Sequence, residues 1–404
     1  MLAIRAGQMF DGESFSTGGG TVVIENGRIA GVEAGWPDLP ADTQILDHPD
    51  GTVLPGLIDC HAHLVCDSSD QALDRVAGYT DDAIDAVITE GLRRQLAAGV
   101  TTVRDLGDRG FAVLERRDRQ RSGTSDLPEP TIVAAGPPLT SPRGHCFYLG
   151  GEVGDRDQIA AAVQERAERA VDIVKVMASG GMATPGTDVL APQFPLEDLR
   201  FLVDRAHAAG LPVTAHAHAL SAVEQAIDAG VDGIEHCSCM SEKGVELSDE
   251  LLRALVSSGI VVSGFIPVPA NADMSHAPPA VREMMARRGL TPEQLAEIRL
   301  TWLGRLHRAG VRLVTGPDSG IGSELAHGGV SNAVAFLVAA GASTADGLAA
   351  ATALAADACG FGDRKGLLRK GYDADLVVVG GELNADIGVL SDVRSVVLGG
   401  SVVS

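Results

Sequence analysis

Two histidines separated by one residue stand at the end of an early apolar run of the sequence. His61 and His63 close the strand-like run Val53–His63. Residues two apart on a strand point to the same side, so both imidazoles can converge on one cation. Such a pair also arises by chance and often lies satisfied in a turn. Its position at the carboxyl end of a strand, where α/β folds bind ligands, favours the metal interpretation.

A lysine in a second apolar run is a further candidate. Lys175 stands between Val174 and Val176, and burying its charge there is costly. It either pairs with a carboxylate or has a neutral amine that has reacted with carbon dioxide, giving a carbamate that bridges two metal ions. We favour the carbamate because further ligand types follow neighbouring runs.

Three more residues of ligand type end strand-like runs. His216 ends Pro212–His216, His236 ends Gly233–His236, and Asp318 follows a later run. A lone histidine in such a place is more often a core residue with a hydrogen-bond partner, and an aspartate before Ser-Gly is normally a turn residue. Together with the first three candidates, however, they complete a set suited to a borderline metal such as zinc.

The elements that position these residues alternate between strand and helix. Capping-box patterns at Thr291 and Ser221 predict two helix starts, and a helical pattern over Asp82–Leu96 stops near Gly99. The strand-like runs are Val53–His63, Val100–Asp105, Thr131–Ala135, Ile173–Ala178, Pro212–His216, Gly233–His236, Ile260–Phe265 and Arg312–Gly316. Eight strands alternating with helices predict an α/β fold of the TIM type, a (β/α)8 barrel. An open doubly wound sheet also alternates, but its first strand normally leads into a glycine-rich phosphate turn.

Both ends of the chain are rich in short strand-like pieces. Asn26-Gly27 between two apolar runs predicts a β-hairpin. We therefore expect a small β-sandwich formed by residues 1–54 and 363–404, with the barrel over residues 55–362.

Composition limits the classes of partner. The 404 residues are 45% hydrophobic and 21% charged, with a net charge of −22, which excludes a mainly disordered chain and disfavours nucleic acid and anionic membranes. No apolar run reaches 18 residues, and the amino terminus does not resemble a signal peptide. Six irregularly spaced cysteines, including Cys237-x-Cys239, are best explained as packed thiols in a reduced cytoplasmic setting. We expect a small-molecule substrate and a homo-oligomer.

The ligand set resembles that of the amidohydrolase superfamily, and the resemblance covers nearly the whole chain. Thr52–Asp59 looks like the entry of that family into its barrel, and Gly366–Leu376 looks like the return into its β-sandwich. Lys175–Gly181 and Ile234–His236 look like the branch that contains imidazolonepropionase-like proteins and metal-dependent prolidase-like dipeptidases.

The resemblance implies a centre with two divalent ions, expected to be zinc, and an N-carboxylated lysine. The implied ligands are His61, His63 and Asp318 on one ion, His216 and His236 on the other, and Lys175 as the bridge. A hydroxide between the ions would attack an amide carbonyl of a dipeptide, an N-acyl amino acid or a similar small molecule. Asp318 would take its proton and deliver it to the leaving nitrogen.

The sequence also departs from related patterns. Pro317 stands where threonine is usual before the aspartate. Lys175 argues against true imidazolonepropionase activity, and Cys239, where single-metal deaminases usually carry glutamate, argues against deamination.

Other substrates remain open, because the metal site does not choose among carbonyls. Cyclic amides such as lactams or imidazolones, carbamates, esters and lactones are alternatives, and a non-catalytic scaffold of the same fold is a remote one. Candidate substrate contacts are His145 and Tyr148, on a loop with Arg143, together with His218 and His327. His207 and His307 are expected to be solvated.

Overall fold

A computed structural model of the chain describes residues 1–16, 18–125, 127–267, 274–277 and 279–403. Numbered along the chain, its strands are β1 (Leu2–Met9), β2 (Gly20–Glu25), β3 (Arg28–Ala34), β4 (Gln44–Pro55), β5 (Leu57–Ala62), β6 (Val100–Asp105), β7 (Thr131–Ala134), β8 (Val174–Met177), β9 (Val213–Ala219), β10 (Gly233–Ser241), β11 (Gly244–Val245), β12 (Val261–Ser263), β13 (Arg312–Leu313), β14 (Leu376–Gly380), β15 (Val393–Leu398) and β16 (Ser401–Val402). Its α-helices are α1 (Ala72–Val76), α2 (Asp81–Ala97), α3 (Ala112–Arg121), α4 (Arg156–Glu168), α5 (Leu196–Ala208), α6 (Leu220–Ala229), α7 (Asp249–Ser258), α8 (Pro279–Arg288), α9 (Pro292–Ala309), α10 (Val330–Ala339), α11 (Thr344–Ala349) and α12 (Ala353–Ala358). Short 3-10 helices cover Phe147–Leu149, Met274–His276, Ser323–Leu325 and Ile387–Ser391.

Strands from both ends of the chain share one mixed sheet, in the order β16-β15-β14-β4-β1-β2-β3. The predicted hairpin is confirmed: β2 and β3 pair antiparallel through Asn26 and Gly27, whose φ angles are 50° and 75°. Positive φ at both central residues matches the right-handed twist of the flanking strands. Near the other end, β14 pairs antiparallel with β4, so Val378 lies opposite Val53.

The strands between the two ends form parallel sheets, β5-β6-β7 and β13-β12-β10-β9-β8, with β11 added antiparallel to β10. The α/β class with parallel sheets is therefore confirmed. The predicted run Val53–His63, however, belongs to two sheets, because β4 ends at Pro55 and β5 begins at Leu57. Gly56 stands between them, where a Cβ atom would lie 2.1 Å from Thr101 Oγ1.

Backbone hydrogen bonds link these two parallel sheets along both of their edges. On one side, Leu139 N donates to the Lys175 carbonyl and Met177 N donates to the Leu139 carbonyl, both at 2.8 Å. On the other side, Cys60 N donates to the Thr315 carbonyl at 3.0 Å. The bridges on both sides are parallel, so the carboxyl ends of the strands lie on the same face.

Helix starts follow the sequence where a loop precedes the helix. The capping box at Thr291 is confirmed at the start of α9, and α2 begins after Thr80, whose hydroxyl accepts a hydrogen bond from Ala83 N. The prediction for Ser221 is wrong. Because β9 runs directly into α6, Ala219 occupies the capping position without a side-chain hydrogen bond, and Ser221 lies inside the first turn.

The helices bury their apolar faces against the parallel strands. Buried residues of β8, β9, β10 and β12 form one large cluster with α5, α6, α7 and α9, and those of β5, β6 and β7 pack with α2, α3 and α10. Leucine, valine, isoleucine and alanine dominate both clusters, as the low aromatic content predicts. Within the described ranges, no helix combines the length and the apolar character needed to cross a bilayer.

Candidate metal centre

The carboxyl ends of the parallel strands bring ligand-type side chains into two buried groups. The Asp318 group consists of His61, His63 and Asp318, which lie on β5, just after β5, and in the segment after β13. The triple-histidine group consists of His216 and His218 on β9 and His236 on β10. Within each group, the potential ligand atoms lie within 4.8 Å of one another.

Three potential metal-ligand atoms of the Asp318 group lie close together. Asp318 Oδ1 lies 3.3 Å from His61 Nε2 and 3.2 Å from His63 Nε2. His63 Nδ1 lies 3.1 Å from the Gly107 carbonyl oxygen, which can only accept, so in a neutral ring Nδ1 carries the proton and Nε2 presents its lone pair. Two lone pairs and a carboxylate oxygen repel each other unless a cation lies between them. The donor set therefore fits a divalent metal ion.

The charges of this group are consistent with a shared cation. Asp318 Oδ1 is buried without a well-directed hydrogen bond among the described residues. Burial alone would raise the pKa of Asp318, but His61 and His63 hold that pKa well below its usual range. Burial lowers the pKa of His63, but the hydrogen bond and the charge of Asp318, together with the charge of Asp105, make the net shift upward. The Asp318 carboxylate therefore carries the negative charge of this group.

The triple-histidine group carries no carboxylate. His236 Nδ1 lies 2.7 Å from the Gly264 carbonyl oxygen, which leaves Nε2 free to bind a metal ion. His218 Nδ1 lies 2.8 Å from Ser238 Oγ. Burial, with a smaller effect of neighbouring charges, lowers the pKa of His236 to about 3 and that of His216 well below its usual range. These rings are therefore neutral and available as ligands. The structure places His218, which the sequence suggested as a substrate contact, among them.

Lys175 lies beside the Asp318 group on β8. Its Nζ is 3.5 Å from His61 Nε2, and its side chain is almost fully buried. Burial lowers the pKa of the amine, against the opposing effect of Glu235 and Asp318. A neutral amine is the form that reacts with carbon dioxide, so the position suits the predicted carbamate.

Backbone strain is concentrated at this end of the strands. His236, Cys237, Cys239 and Asp318 all have positive φ, between 47° and 68°, although none is glycine. Each such residue costs on the order of 1–3 kcal/mol and persists only where its surroundings hold it. At β10 the pairing with β9 shifts register after His236, and the Trp302 indole donates to the Cys237 carbonyl at 3.0 Å. The strained backbone turns two ligand side chains toward the centre.

The predicted substrate loop divides into two parts. His145 is buried, and its ring centroid lies 4.5 Å from that of His216. Its Nδ1 is 2.8 Å from Thr184 Oγ1, and burial lowers its pKa to about 3. Tyr148 is half-buried beside it, whereas Arg143 is exposed and places its guanidinium 4.8 Å from the Phe147 ring. The inner part of the loop thus faces the centre and Arg143 does not.

Three further histidines named in the sequence analysis, His207, His307 and His327, lie outside both ligand groups. His327 Nε2 donates to the Cys66 carbonyl at 3.0 Å, so this ring supports the segment after β5. His207, on α5, is exposed and pairs with Asp232 at 2.9 Å, and His307 is only partly exposed. All six cysteines are free, and Cys237 and Cys239 are packed thiols in this structure.

Two charged residues beside the centre were not identified from the sequence. Arg104 on β6 and Glu235 on β10 are both buried, with Arg104 Nη2 3.3 Å from Glu235 Oε1. Glu235 Oε2 also lies 2.9 Å from His61 Nδ1. The signal was available, because the cost of burying a charge in an apolar run applies to both residues as it does to Lys175.

Comparison with known proteins identifies the family. A family model described as Amidohydrolase family matches residues 52–403. The chain belongs to the amidohydrolase family. This confirms the resemblance seen in the sequence and makes the protein an enzyme of the amide-hydrolysing class.

Relatives of known name or structure span most of the chain. Ochratoxinase from Aspergillus niger is 27% identical over 424 aligned positions, covering 97% of this chain and 84% of that protein. Imidazolonepropionase from Salinispora tropica is 25% identical, covering 56% of this chain and 58% of that enzyme. A crystal structure of a Xaa-Pro dipeptidase with methionine bound in its active site has a TM-score of 0.86 and 26% identity, covering 100% of this chain and 99% of that one.

Proposed function

We propose that this amidohydrolase is a metal-dependent enzyme that cleaves an amide bond of a small molecule, such as a dipeptide or an N-acyl amino acid. The observation that carries the proposal is the approach of Asp318 Oδ1 to two imidazole Nε2 atoms, at 3.2 and 3.3 Å, in a buried place whose donor set fits a divalent cation. We also infer that the two linked parallel sheets form a (β/α)8 barrel with this centre at its mouth, and that the mixed sheet belongs to a small β-sandwich.

We assign the ligands of two divalent ions, with zinc as the expected metal. His61, His63 and Asp318 would hold one ion, and His216 and His236, with His218 beside them, would hold the other; carboxylated Lys175 would join the two. When bound there, the ions supply a water of lowered pKa and polarise the substrate carbonyl.

The chain's own residues then handle the proton and the substrate. Asp318 accepts the proton of the attacking water and passes it to the leaving nitrogen. It is suited to this role because it supplies the carboxylate of the two ligand groups, and a carboxylate can act as a general base. His145, kept neutral by burial and packed against His216, contacts the substrate carbonyl or carboxylate. Tyr148, whose hydroxyl lies 3.8 Å from Cys146 Sγ beside His145, is proposed as a second contact for the substrate.

The substrate class is proposed from two sources. Burial of both ligand groups limits access to small molecules. Among the relatives, the Xaa-Pro dipeptidase holds an amino acid in its active site and covers this chain from end to end. A free carboxylate next to the scissile amide is therefore the substrate feature that we expect.

The test is metal analysis of the purified protein together with a hydrolysis screen over Xaa-Pro and other dipeptides, N-acyl amino acids, lactams and esters. We expect about two ions per chain and hydrolysis that chelation abolishes and added Zn²⁺ restores. The exposed-histidine variant His207→Ala is a matched control and should behave as wild type. Activity confined to esters or lactones, or activity that survives complete metal removal, would refute the proposal.

A further inference from the structure

A buried pair of opposite charges lies directly behind one ligand of the centre. Glu235 is 1% exposed and Arg104 is 4% exposed, and neither takes part in the chemistry proposed above. We propose that Glu235 is a positioning residue that fixes the His61 ring with Nε2 toward Asp318, and that Arg104 in turn fixes Glu235. This inference rests on the proposed function for its role in catalysis.

Glu235 accepts hydrogen bonds from side chains on three strands and lies in close contact with His61 on a fourth. Thr214 Oγ1 on β9 donates to Oε1 at 2.7 Å, and the Ser263 hydroxyl on β12 donates to Oε2. Arg104 Nη2 on β6 lies 3.3 Å from Oε1, and His61 Nδ1 on β5 lies 2.9 Å from Oε2. A carboxylate surrounded by donors is held in its ionised form, which only accepts. Because the ionised carboxylate only accepts, its 2.9 Å contact with His61 favours the tautomer of His61 that carries the proton on Nδ1.

This protonation decides which nitrogen of His61 can bind a metal ion. With Nδ1 protonated, Nε2 presents a lone pair, 3.3 Å from Asp318 Oδ1 and 3.5 Å from Lys175 Nζ. A carboxylate behind an imidazole ligand also makes that ligand more basic, which strengthens its bond to a metal ion. His63 Nδ1, by contrast, lies 3.1 Å from the neutral Gly107 carbonyl oxygen.

Arg104 restrains the same histidine through two contacts. Besides its contact with Glu235, its Nε donates to the Cys60 carbonyl at 2.7 Å, and that carbonyl belongs to the peptide that leads into His61. Arg104 thus sets both the backbone before the ring and the carboxylate behind it. Its own charge is compensated, since Glu235 opposes the effect of burial and the pKa of Arg104 is raised overall.

The experiment measures metal affinity at the two ligand groups separately, with Co²⁺ as the probe, by titration calorimetry and by the absorption of the bound ion. Glu235→Gln keeps the size of the side chain but removes its charge. We expect one of the two Co²⁺ ions to bind about 10- to 100-fold more weakly, in line with the effect of losing an outer partner of a metal ligand. The other ion should bind as in the wild type.

A matched control exists elsewhere in the chain. Arg116 and Glu129 form another buried arginine–glutamate pair, on α3 and the loop before β7, away from both ligand groups. Glu129→Gln should lower the melting temperature without changing the affinity for either ion. Arg104→Lys is the milder second variant if Glu235→Gln does not fold. It should lower the affinity for the same ion by a smaller factor.

Two results would overturn the inference. One is wild-type affinity for both ions in Glu235→Gln, and the other is an equal loss of affinity for both ions that parallels a lower melting temperature. If the wild-type protein binds two ions yet hydrolyses no amide, the proposed function fails while the metal titration still decides the role of Glu235. The two failures are thus distinguishable.

Discussion

The two ligand groups are built differently, although they lie side by side at the ends of neighbouring strands. The Asp318 group contains a carboxylate, and one of its imidazoles is backed by Glu235 and the other by a backbone carbonyl. The triple-histidine group consists of imidazole rings without a carboxylate; His236 Nδ1 lies 2.7 Å from the Gly264 carbonyl oxygen, while His216 Nε2 has a longer contact of 3.4 Å to the Gly180 carbonyl oxygen.

This difference indicates which group needs a further negatively charged ligand in order to bind a divalent ion. A divalent ion at the Asp318 group meets a negative charge and rings of fixed orientation. An ion at the triple-histidine group has no negatively charged ligand unless Lys175 is carboxylated, because the carbamate would then supply a negative charge. We therefore expect the two sites to differ in affinity and in their sensitivity to Lys175.

The largest effect is expected from Asp318→Asn. The amide cannot accept the proton of the attacking water, so kcat should fall by about 10²- to 10⁴-fold while part of the metal remains bound. Steady-state kinetics with metal analysis on the same preparation checks this. Turnover near that of the wild type would exclude Asp318 from proton transfer.

Lys175→Ala should remove the charge on which the triple-histidine group depends. We expect the metal content to fall from about two ions per chain to about one, with kcat lowered by on the order of 10²-fold, since half of the proposed two-ion centre would be lost. Metal analysis before and after adding bicarbonate or a short carboxylic acid tests the point, because either can supply the missing oxygens. Two tightly bound ions in the variant would refute the bridging role.

His218→Ala tests whether His218 belongs with the ligands or with the substrate. If His218 belongs to the triple-histidine group, its removal should weaken the binding of one ion by about 10-fold. This holds whether His218 is itself a ligand or supports its neighbours. Co²⁺ titration measures this effect, with His327→Ala as the control for a buried histidine outside both groups. A change confined to KM would instead make His218 a substrate contact.

The smallest effect is expected from the substrate loop. His145→Ala and Tyr148→Ala should lower kcat/KM by about 10-fold, mainly through KM, because binding contacts are lost while the ligands stay in place. Metal content should remain unchanged. Arg143→Ala, at the exposed end of the same loop, is the control and should have no effect on kinetics.

Ligand types at strand ends were predictable because each follows an apolar run that identifies itself locally. Contacts between side chains on different strands could not be predicted in this way. The contact between Glu235 and His61 joins β10 and β5, which lie in different parallel sheets, so neither segment specifies it alone. The break between β4 and β5 was missed because the apolar pattern continues through Gly56, and only the close approach of Thr101 shows why a glycine stands there. Ser221 was misassigned because a strand leads straight into its helix.

The pairing of β4 with β14 has a consequence for the order in which the molecule folds. β4 leads through Gly56 into β5, the strand that carries His61, yet the partner of β4 is encoded near the other end of the sequence. During synthesis the ribosome must release the chain through Gly380 before that pairing is complete. Contacts so distant in sequence form slowly, since a very long loop has to close first. Metal capture by the Asp318 group is therefore expected to be a late, post-translational event.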